Sequence, residues 1–122
     1  TLEDLRGQVV YLDFWASWCP PCKVSFPWMA RMHERFADDG LAIVAVNVDQ
    51  ESAKGRQFLE DNPAPYTVLF DPEGRVAERY QIQGMPTSVL IGRDGEILWR
   101  HVGFRQEERQ EYTQRIEKAL AR

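Results

Sequence analysis

The protein has 122 residues, of which 43% are hydrophobic and 28% charged, and this size and composition suit one domain with one core. The formal net charge of −4 provides no basic surface, so nucleic acid is not expected as a partner. No segment approaches the roughly 18 consecutive apolar residues of a membrane span, and no signal peptide is present. Because the chain starts abruptly at Thr1, we expect that an N-terminal leader or anchor is absent from it.

Strand and helix patterns alternate along the chain, beginning with an almost wholly apolar segment at 9–15. Such a segment is typical of a central strand covered on both faces. A helix at 21–36 and a second apolar strand at 41–48 follow, an order that favours a right-handed parallel crossover. The other predicted elements are a helix at 52–60, a strand at 66–70, a helix at 75–81, a hairpin of strands at 88–91 and 96–102, and an amphipathic helix at 106–122. The sequence therefore predicts a single α/β domain over residues 1–122, expected to be monomeric.

The two cysteines of the chain, Cys19 and Cys22, lie three residues apart, where the first strand leads into the first helix. The first backbone N–H groups of a helix lack partners and favour a negative charge. We therefore expect a pKa for the Cys19 thiol below the usual value of about 8.5. Cys22 lies one turn further into the helix, where it is more shielded from water. We interpret Cys19 as the attacking thiol and Cys22 as the resolving thiol.

Two alternatives to redox chemistry are a buried structural pair and half of a zinc site. Zinc normally takes four ligands, whereas His33 and His101 are isolated and no second C-x-x-C is present. The intervening Pro20 and Pro21 suit a first helical turn, which needs no N–H donors. The pattern predicts a thiol–disulfide active site without a metal, whose only redox group is the Cys19–Cys22 pair.

Asp13 interrupts the first apolar segment. A buried carboxylate is costly unless it has a partner or stays protonated, and no Lys or Arg is adjacent to this one in sequence. Asp13 is either a strand-end residue bonded to a loop or a functional group. Its position six residues before Cys19 favours the functional reading, and we predict that Asp13 is buried with a raised pKa.

The element order, together with W-C-x-x-C after the first strand, resembles thioredoxin, and more closely the TlpA/ResA-like branch of extracytoplasmic thiol–disulfide oxidoreductases. The matching segments cover nearly the whole chain: 7–10, 14–23, 26–27, 44–49, 84–87 and 92–95. The resemblance implies a thioredoxin-like fold, with a central mixed β-sheet flanked by helices and a helical insertion at 50–62 between the second and third strands. It also implies a periplasmic or extracytoplasmic location, with a membrane anchor in the full-length protein. The N-terminal hairpin common in the branch is largely missing here.

Several residue roles follow from the resemblance. Pro86 matches the cis-proline that faces the redox pair, and Met85 matches the residue whose backbone holds a substrate peptide like an added strand. Asp13 matches the buried carboxylate of thioredoxin, a proton acceptor for the resolving cysteine. The exposed parts of the motif, Trp18, Pro20 and Pro21, are predicted to contact substrate together with Met85.

Many members of the branch have another residue, often Asn, at the position of Asp13, and an acid near Asp49 to Glu51 is then the alternative proton acceptor. This sequence has carboxylates at both places, and the choice between them stays open at this point. Asp49, Glu51 and Lys23, the last directly after the motif, are secondary candidates for the site.

The resemblance favours a reductase of disulfides in protein substrates such as apocytochrome c or copper-centre assembly factors. It implies a membrane thiol electron donor of the DsbD or CcdA type. The same two cysteines also suit a disulfide oxidase or isomerase, because direction depends on reduction potential. A Cu(I)-binding chaperone module is a third hypothesis, since soft thiolate ligands bind Cu(I). The sequence lacks a flanking tract rich in Met or His, which disfavours that third hypothesis.

Overall fold

The computed structural model describes residues 2–122. The strands are β1 (Val9–Trp15), β2 (Leu41–Asn47), β3 (Thr67–Phe70), β4 (Thr87–Ile91) and β5 (Ile97–Val102). The helices are α1 (Pro20–Phe36), α2 (Ser52–Asp61), α3 (Arg75–Arg79) and α4 (Arg109–Ala121), with short 3-10 turns at Leu2–Leu5, Ala37–Asp39 and Gln106–Glu108. Within this part of the chain, no helix is long and apolar enough to cross a membrane.

The strands form one sheet in the order β3-β2-β1-β4-β5. Strand β2 pairs in parallel with both β1 and β3, whereas β4 pairs antiparallel with β1 and β5. This arrangement confirms the predicted mixed sheet with helices on its faces. Helix α2 connects the parallel strands β2 and β3, which confirms the predicted helical insertion at this point of the chain.

Strand β1 is buried along its whole length, and its two faces contact different layers. Tyr11 and Trp15 belong to the core that includes buried residues of α1 and α4. Leu12 and Phe14 belong to the second core, against which α3 packs. Because side chains alternate along a strand, Asp13 lies on the same face as Tyr11 and Trp15. That face is covered by the helix that starts at the cysteine pair.

Two predicted helices differ from the observed ones by more than one residue at an end. The closing α-helix starts at Arg109, because the segment before it forms a 3-10 turn. Helix α3 ends at Arg79 rather than Gln81, whose φ of 55° is incompatible with a continuing right-handed helix. The guanidinium of Arg100 on β5 donates hydrogen bonds to the carbonyls of Tyr80 and Gln81, so it stabilises the point where the chain leaves the helix.

Gly55 in α2 is buried directly against the side chain of Asn47. A Cβ at this position would lie 2.6 Å from Asn47 Nδ2, so we expect Gly55→Ala to destabilise the protein. Alanine improves helix propensity by about 1 kcal/mol, but overpacking a core costs about 1–3 kcal/mol. The expected net loss lies in the upper half of the difference, about 1–2 kcal/mol, because Asn47 is fully buried and held by hydrogen bonds, so it cannot easily move aside. Denaturant unfolding of the oxidised protein measures this loss.

Gln57→Ala, at an exposed position of the same helix, is the matched control for that measurement. A surface change of this kind should alter the unfolding free energy by no more than about 0.5 kcal/mol. An unfolding midpoint for Gly55→Ala at or above that of the wild type would mean that α2 does not pack on Asn47 as described.

Candidate active site

Cys19 and Cys22 form a disulfide at the start of α1, with their Cα atoms 5.3 Å apart. Cys19 occupies the N-cap position of the helix, and its Sγ accepts a hydrogen bond from the backbone N–H of Cys22 at 3.3 Å. Cys19 is 4% exposed and Cys22 is fully buried, so an incoming group reaches Cys19 first. The predicted order of exposure of the two cysteines is confirmed.

The electrostatics of the helix start favour negative charge on Cys19. Among the described residues, helix α1 carries Pro20 and Pro21 at its first two positions and has no acidic residue in its first turn. The partial positive charge of the helix N-terminus is therefore not opposed by a neighbouring carboxylate in that turn. Once the disulfide is reduced, this arrangement stabilises a thiolate on Cys19 over the thiol.

Asp13 is 1% exposed, and burial raises its pKa from the ordinary value of 3.8 to about 8. Ser88 Oγ donates to Asp13 Oδ1 at 3.2 Å, which favours the ionised form and offsets part of the desolvation. Ser88 in turn accepts a hydrogen bond from the Tyr11 hydroxyl at 2.9 Å. Within residues 2–122, Asp13 Oδ2 is buried and accepts no hydrogen bond. The predicted burial and raised pKa are both confirmed, whereas the role of Asp13 stays a prediction.

Pro86 begins the segment that enters β4, and the Met85–Pro86 peptide bond is cis, as predicted. The backbone N–H of Gly103 donates to the Pro86 carbonyl at 2.7 Å, and Thr87 Oγ1 donates to the carbonyl of Gly84 at 2.6 Å. Pro86 is buried, and Met85 packs against the core cluster that contains both cysteines. One bond within the segment and one from Gly103 thus fix it, and Met85 packs on the core that contains the redox pair.

The predicted substrate contacts in the motif are exposed. Trp18 is 66% exposed, and Pro20 and Pro21 are exposed as well, as is the secondary candidate Lys23. An apolar, accessible ring directly before Cys19 is a suitable surface for a bound polypeptide. Their contact with substrate stays a prediction.

The structure separates the two secondary acids. Glu51 is exposed and forms an ion pair with Lys54 at 3.8 Å. Asp49 is 2% exposed and accepts hydrogen bonds from Ser17 and Asn47. Asp49 therefore lies against the loop that leads to Cys19, whereas Glu51 faces solvent.

Sequence reasoning did not identify Ser17, Asn47 and Ser88 as the partners of Asp49 and Asp13, nor Tyr11 as the donor to Ser88. Asn47 was detectable as a polar residue at the end of an otherwise apolar strand. Ser88 is the partner of Asp13 only because β4 pairs with β1 in the register Asp13↔Ser88. That register depends on tertiary structure and leaves no local signal in the sequence.

The fold and this site define a thioredoxin-fold protein with a vicinal cysteine pair at the start of its first helix. Among residues 2–122, no group of three or more His, Cys, Asp or Glu side chains is arranged to hold a metal ion. A family model described as the AhpC/TSA family matches residues 1–100, and the chain belongs to this family.

Relatives and solved structures agree with this class. The thiol-disulfide oxidoreductase ResA of Bacillus subtilis is 36% identical over 97 residues, which cover 80% of this chain and 54% of ResA. A crystal structure assigned as the thiol:disulfide interchange protein DsbE of Chlorobium tepidum is 49% identical, with a TM-score of 0.96, over 98% of this chain and 84% of that one. The exposed lipoprotein thioredoxin of Streptococcus pneumoniae is 28% identical, with a TM-score of 0.83, over 96% of this chain and 89% of that one.

These similarities confirm the predicted thioredoxin-like fold and the ResA-like resemblance. They also agree with the predicted class of activity, since ResA is named a thiol-disulfide oxidoreductase. The chain spans about half of the length of the Bacillus subtilis ResA that it matches.

Proposed function

We propose that the protein is a thiol–disulfide oxidoreductase that reduces disulfides in other proteins. The observation that carries this proposal is the position of Cys19 at the helix N-cap, where its sulfur accepts the N–H of a fully buried Cys22. This geometry separates the less buried cysteine, Cys19, from the fully shielded Cys22. That division of roles is what a two-step exchange requires.

The reduced protein carries out the exchange in two displacements. The Cys19 thiolate attacks one sulfur of a substrate disulfide, so a Cys19–substrate bond forms while the other substrate sulfur leaves as a thiolate. Cys22 then loses its proton and attacks the Cys19 sulfur, which releases the second substrate thiolate. The Cys19–Cys22 disulfide is the product, and two electrons have passed from the protein to the substrate.

Asp13 is the proton acceptor for Cys22 in this scheme. It lies on the sheet face that α1 covers, and its pKa of about 8 is close to the working pH. With a pKa of about 8, roughly a tenth of Asp13 is ionised at pH 7 and can take up the proton, and this fraction rises as the pH approaches 8. Asp49 is less suited, because its oxygens already accept hydrogen bonds from Ser17 and Asn47.

The resemblance to the ResA-like branch supports the finer features of this proposal. The substrates are extracytoplasmic proteins with disulfides, such as apocytochrome c or copper-centre assembly factors. A membrane thiol donor of the DsbD or CcdA type returns the Cys19–Cys22 disulfide to the dithiol. The domain works in the periplasm or an equivalent extracytoplasmic space, in line with the relative described as an exposed lipoprotein.

The reduction potential of the Cys19–Cys22 pair tests the direction of the reaction. Equilibration of the protein with glutathione redox buffers is expected to give a potential below about −200 mV, in the range of reductases. In a parallel assay, the reduced protein is expected to reduce insulin with dithiothreitol as the electron source. A potential near about −120 mV, typical of a strong oxidant, together with oxidation of reduced substrates, would instead make the protein an oxidase.

A further inference from the structure

The buried carboxylate of Asp49 accepts hydrogen bonds from the loop that precedes the redox pair. Ser17 lies in the short connection between β1 and α1, and both of its polar groups contact Asp49. The backbone N–H of Ser17 donates to Asp49 Oδ2 at 2.9 Å, and the Ser17 hydroxyl donates to Oδ1 at 2.9 Å. Because the two bonds end on different oxygens, they fix the orientation of the loop as well as its distance from Asp49.

Asn47 holds the carboxylate from its other side. Its Nδ2 donates to Asp49 Oδ2 at 2.8 Å, and its Oδ1 accepts from the Asp49 backbone N–H at 3.2 Å. The segment after β2, which carries Asp49, meets the loop after β1 at the carboxyl ends of the two strands, where the Val48 N–H donates to the Trp15 carbonyl at 2.9 Å. Asp49 therefore bridges the end of β2 to the loop that enters α1.

Helix α2 completes this arrangement from outside. Gly55 packs so closely on Asn47 that a Cβ there would lie 2.6–2.7 Å from three atoms of the Asn47 side chain. The amide of Asn47 is thus confined between α2 and Asp49. Helix α2 therefore limits the movement of the Asn47 amide, and the Asn47 amide in turn holds the carboxylate of Asp49.

We propose that Asp49 is a positioning residue that acts through Ser17 to hold Cys19 at the N-cap of α1, and that α2 supports it through Asn47. The proposal rests on the proposed function for its relevance to turnover. The positioning itself concerns only the loop. Without the bonds from Ser17 to Asp49, the Cys19 sulfur is less well aligned with the Cys22 N–H. The thiolate then loses stabilisation.

The pH dependence of Cys19 alkylation by iodoacetamide in the reduced protein tests this positioning. Ser17→Ala removes one of the two bonds and is expected to raise the pH of half-maximal rate by about 0.5, which is roughly a threefold loss of thiolate at pH values well below that midpoint. Asp49→Asn should raise it at least as much. Ser17→Thr, which keeps the hydroxyl, should restore the wild-type profile. The double variant should match Asp49→Asn alone, because Asp49 acts through Ser17.

Two results would overturn the proposal. A lower pH midpoint for Asp49→Asn with no change for Ser17→Ala would mean that Asp49 acts through its charge. Unchanged profiles for both variants would make the contact purely structural. Glu60→Gln, an exposed acid of α2, controls for the loss of one negative charge. If Asp49→Asn fails to fold, the comparison of Ser17→Ala with Ser17→Thr decides alone.

The alkylation assay needs no protein substrate, so it separates this proposal from the proposed function. Failure of the wild-type protein to reduce insulin would count against the reductase and leave the alkylation result intact. An unaltered alkylation profile with normal insulin reduction would count against the role of Asp49 only.

Discussion

Replacing Cys22 with serine is expected to leave the protein covalently linked to its substrate. Cys19 still attacks a disulfide, because it keeps its place at the N-cap and is less buried than residue 22. The mixed disulfide then persists, since no second thiol is present to displace the substrate. Incubation of reduced Cys22→Ser with insulin, followed by non-reducing gel electrophoresis, should show a Cys19–substrate adduct that dithiothreitol removes.

Cys19→Ser is the matched control for this experiment. Its remaining thiol is fully buried and lies within the helix, so it should form little adduct under the same conditions. Catalysed turnover should fall by on the order of 10³-fold or more in both variants, as expected when a covalent nucleophile or its partner is lost. Adduct formation mainly through Cys22 would reverse the assignment of the two thiols.

The features of this protein that depend on local sequence were predictable. The apolar pattern of β1, the cysteine spacing and the prolines of the first helical turn each specify structure over a few residues. They placed the redox pair at the start of α1. The burial of Asp13 was predictable for the same reason, because a single charge inside a central strand has no route to solvent.

The environment of each carboxylate depends on pairing between distant segments. Asp13 meets Ser88 across 75 positions of the chain, and Asp49 meets Ser17 across 32. The sequence therefore left Asp13, Asp49 and Glu51 as competing candidates. Their surroundings separate them: within residues 2–122 Asp13 accepts from one donor, Ser88, and has a raised pKa, Asp49 is bonded to Ser17 and Asn47, and Glu51 is exposed.

Replacing Asp13 with asparagine is expected to slow release of the mixed disulfide at neutral pH by roughly 10²-fold, the scale of a lost general base. The initial attack by Cys19 should be unaffected, since that step needs no proton acceptor. Stopped-flow mixing of the reduced protein with a disulfide peptide resolves the two steps. In the wild type, the release rate should rise with pH through about 8, as Asp13 ionises.

The same substitution should change how stability depends on pH. The pKa of Asp13 is about 8 in the folded protein against 3.8 ordinarily, so the folded state holds a proton that the unfolded state has lost between these values. The stabilisation associated with this bound proton is fully present below pH 3.8. It declines by about 1.4 kcal/mol for each pH unit above 3.8, until Asp13 ionises in the folded state near pH 8. Asp13→Asn lacks this decline, so its unfolding free energy relative to the wild type should increase with pH over that window.

Ser88→Ala distinguishes a titrating Asp13 from a merely buried one. It keeps the carboxyl but removes the hydrogen bond that favours its ionised form, so the pKa of Asp13 should rise further. The inflection in the release rate should therefore move to higher pH in Ser88→Ala and disappear in Asp13→Asn. If the profile of Asp13→Asn superimposes on that of the wild type from about pH 6 to 9, Asp13 is structural and the proton of Cys22 leaves by another route.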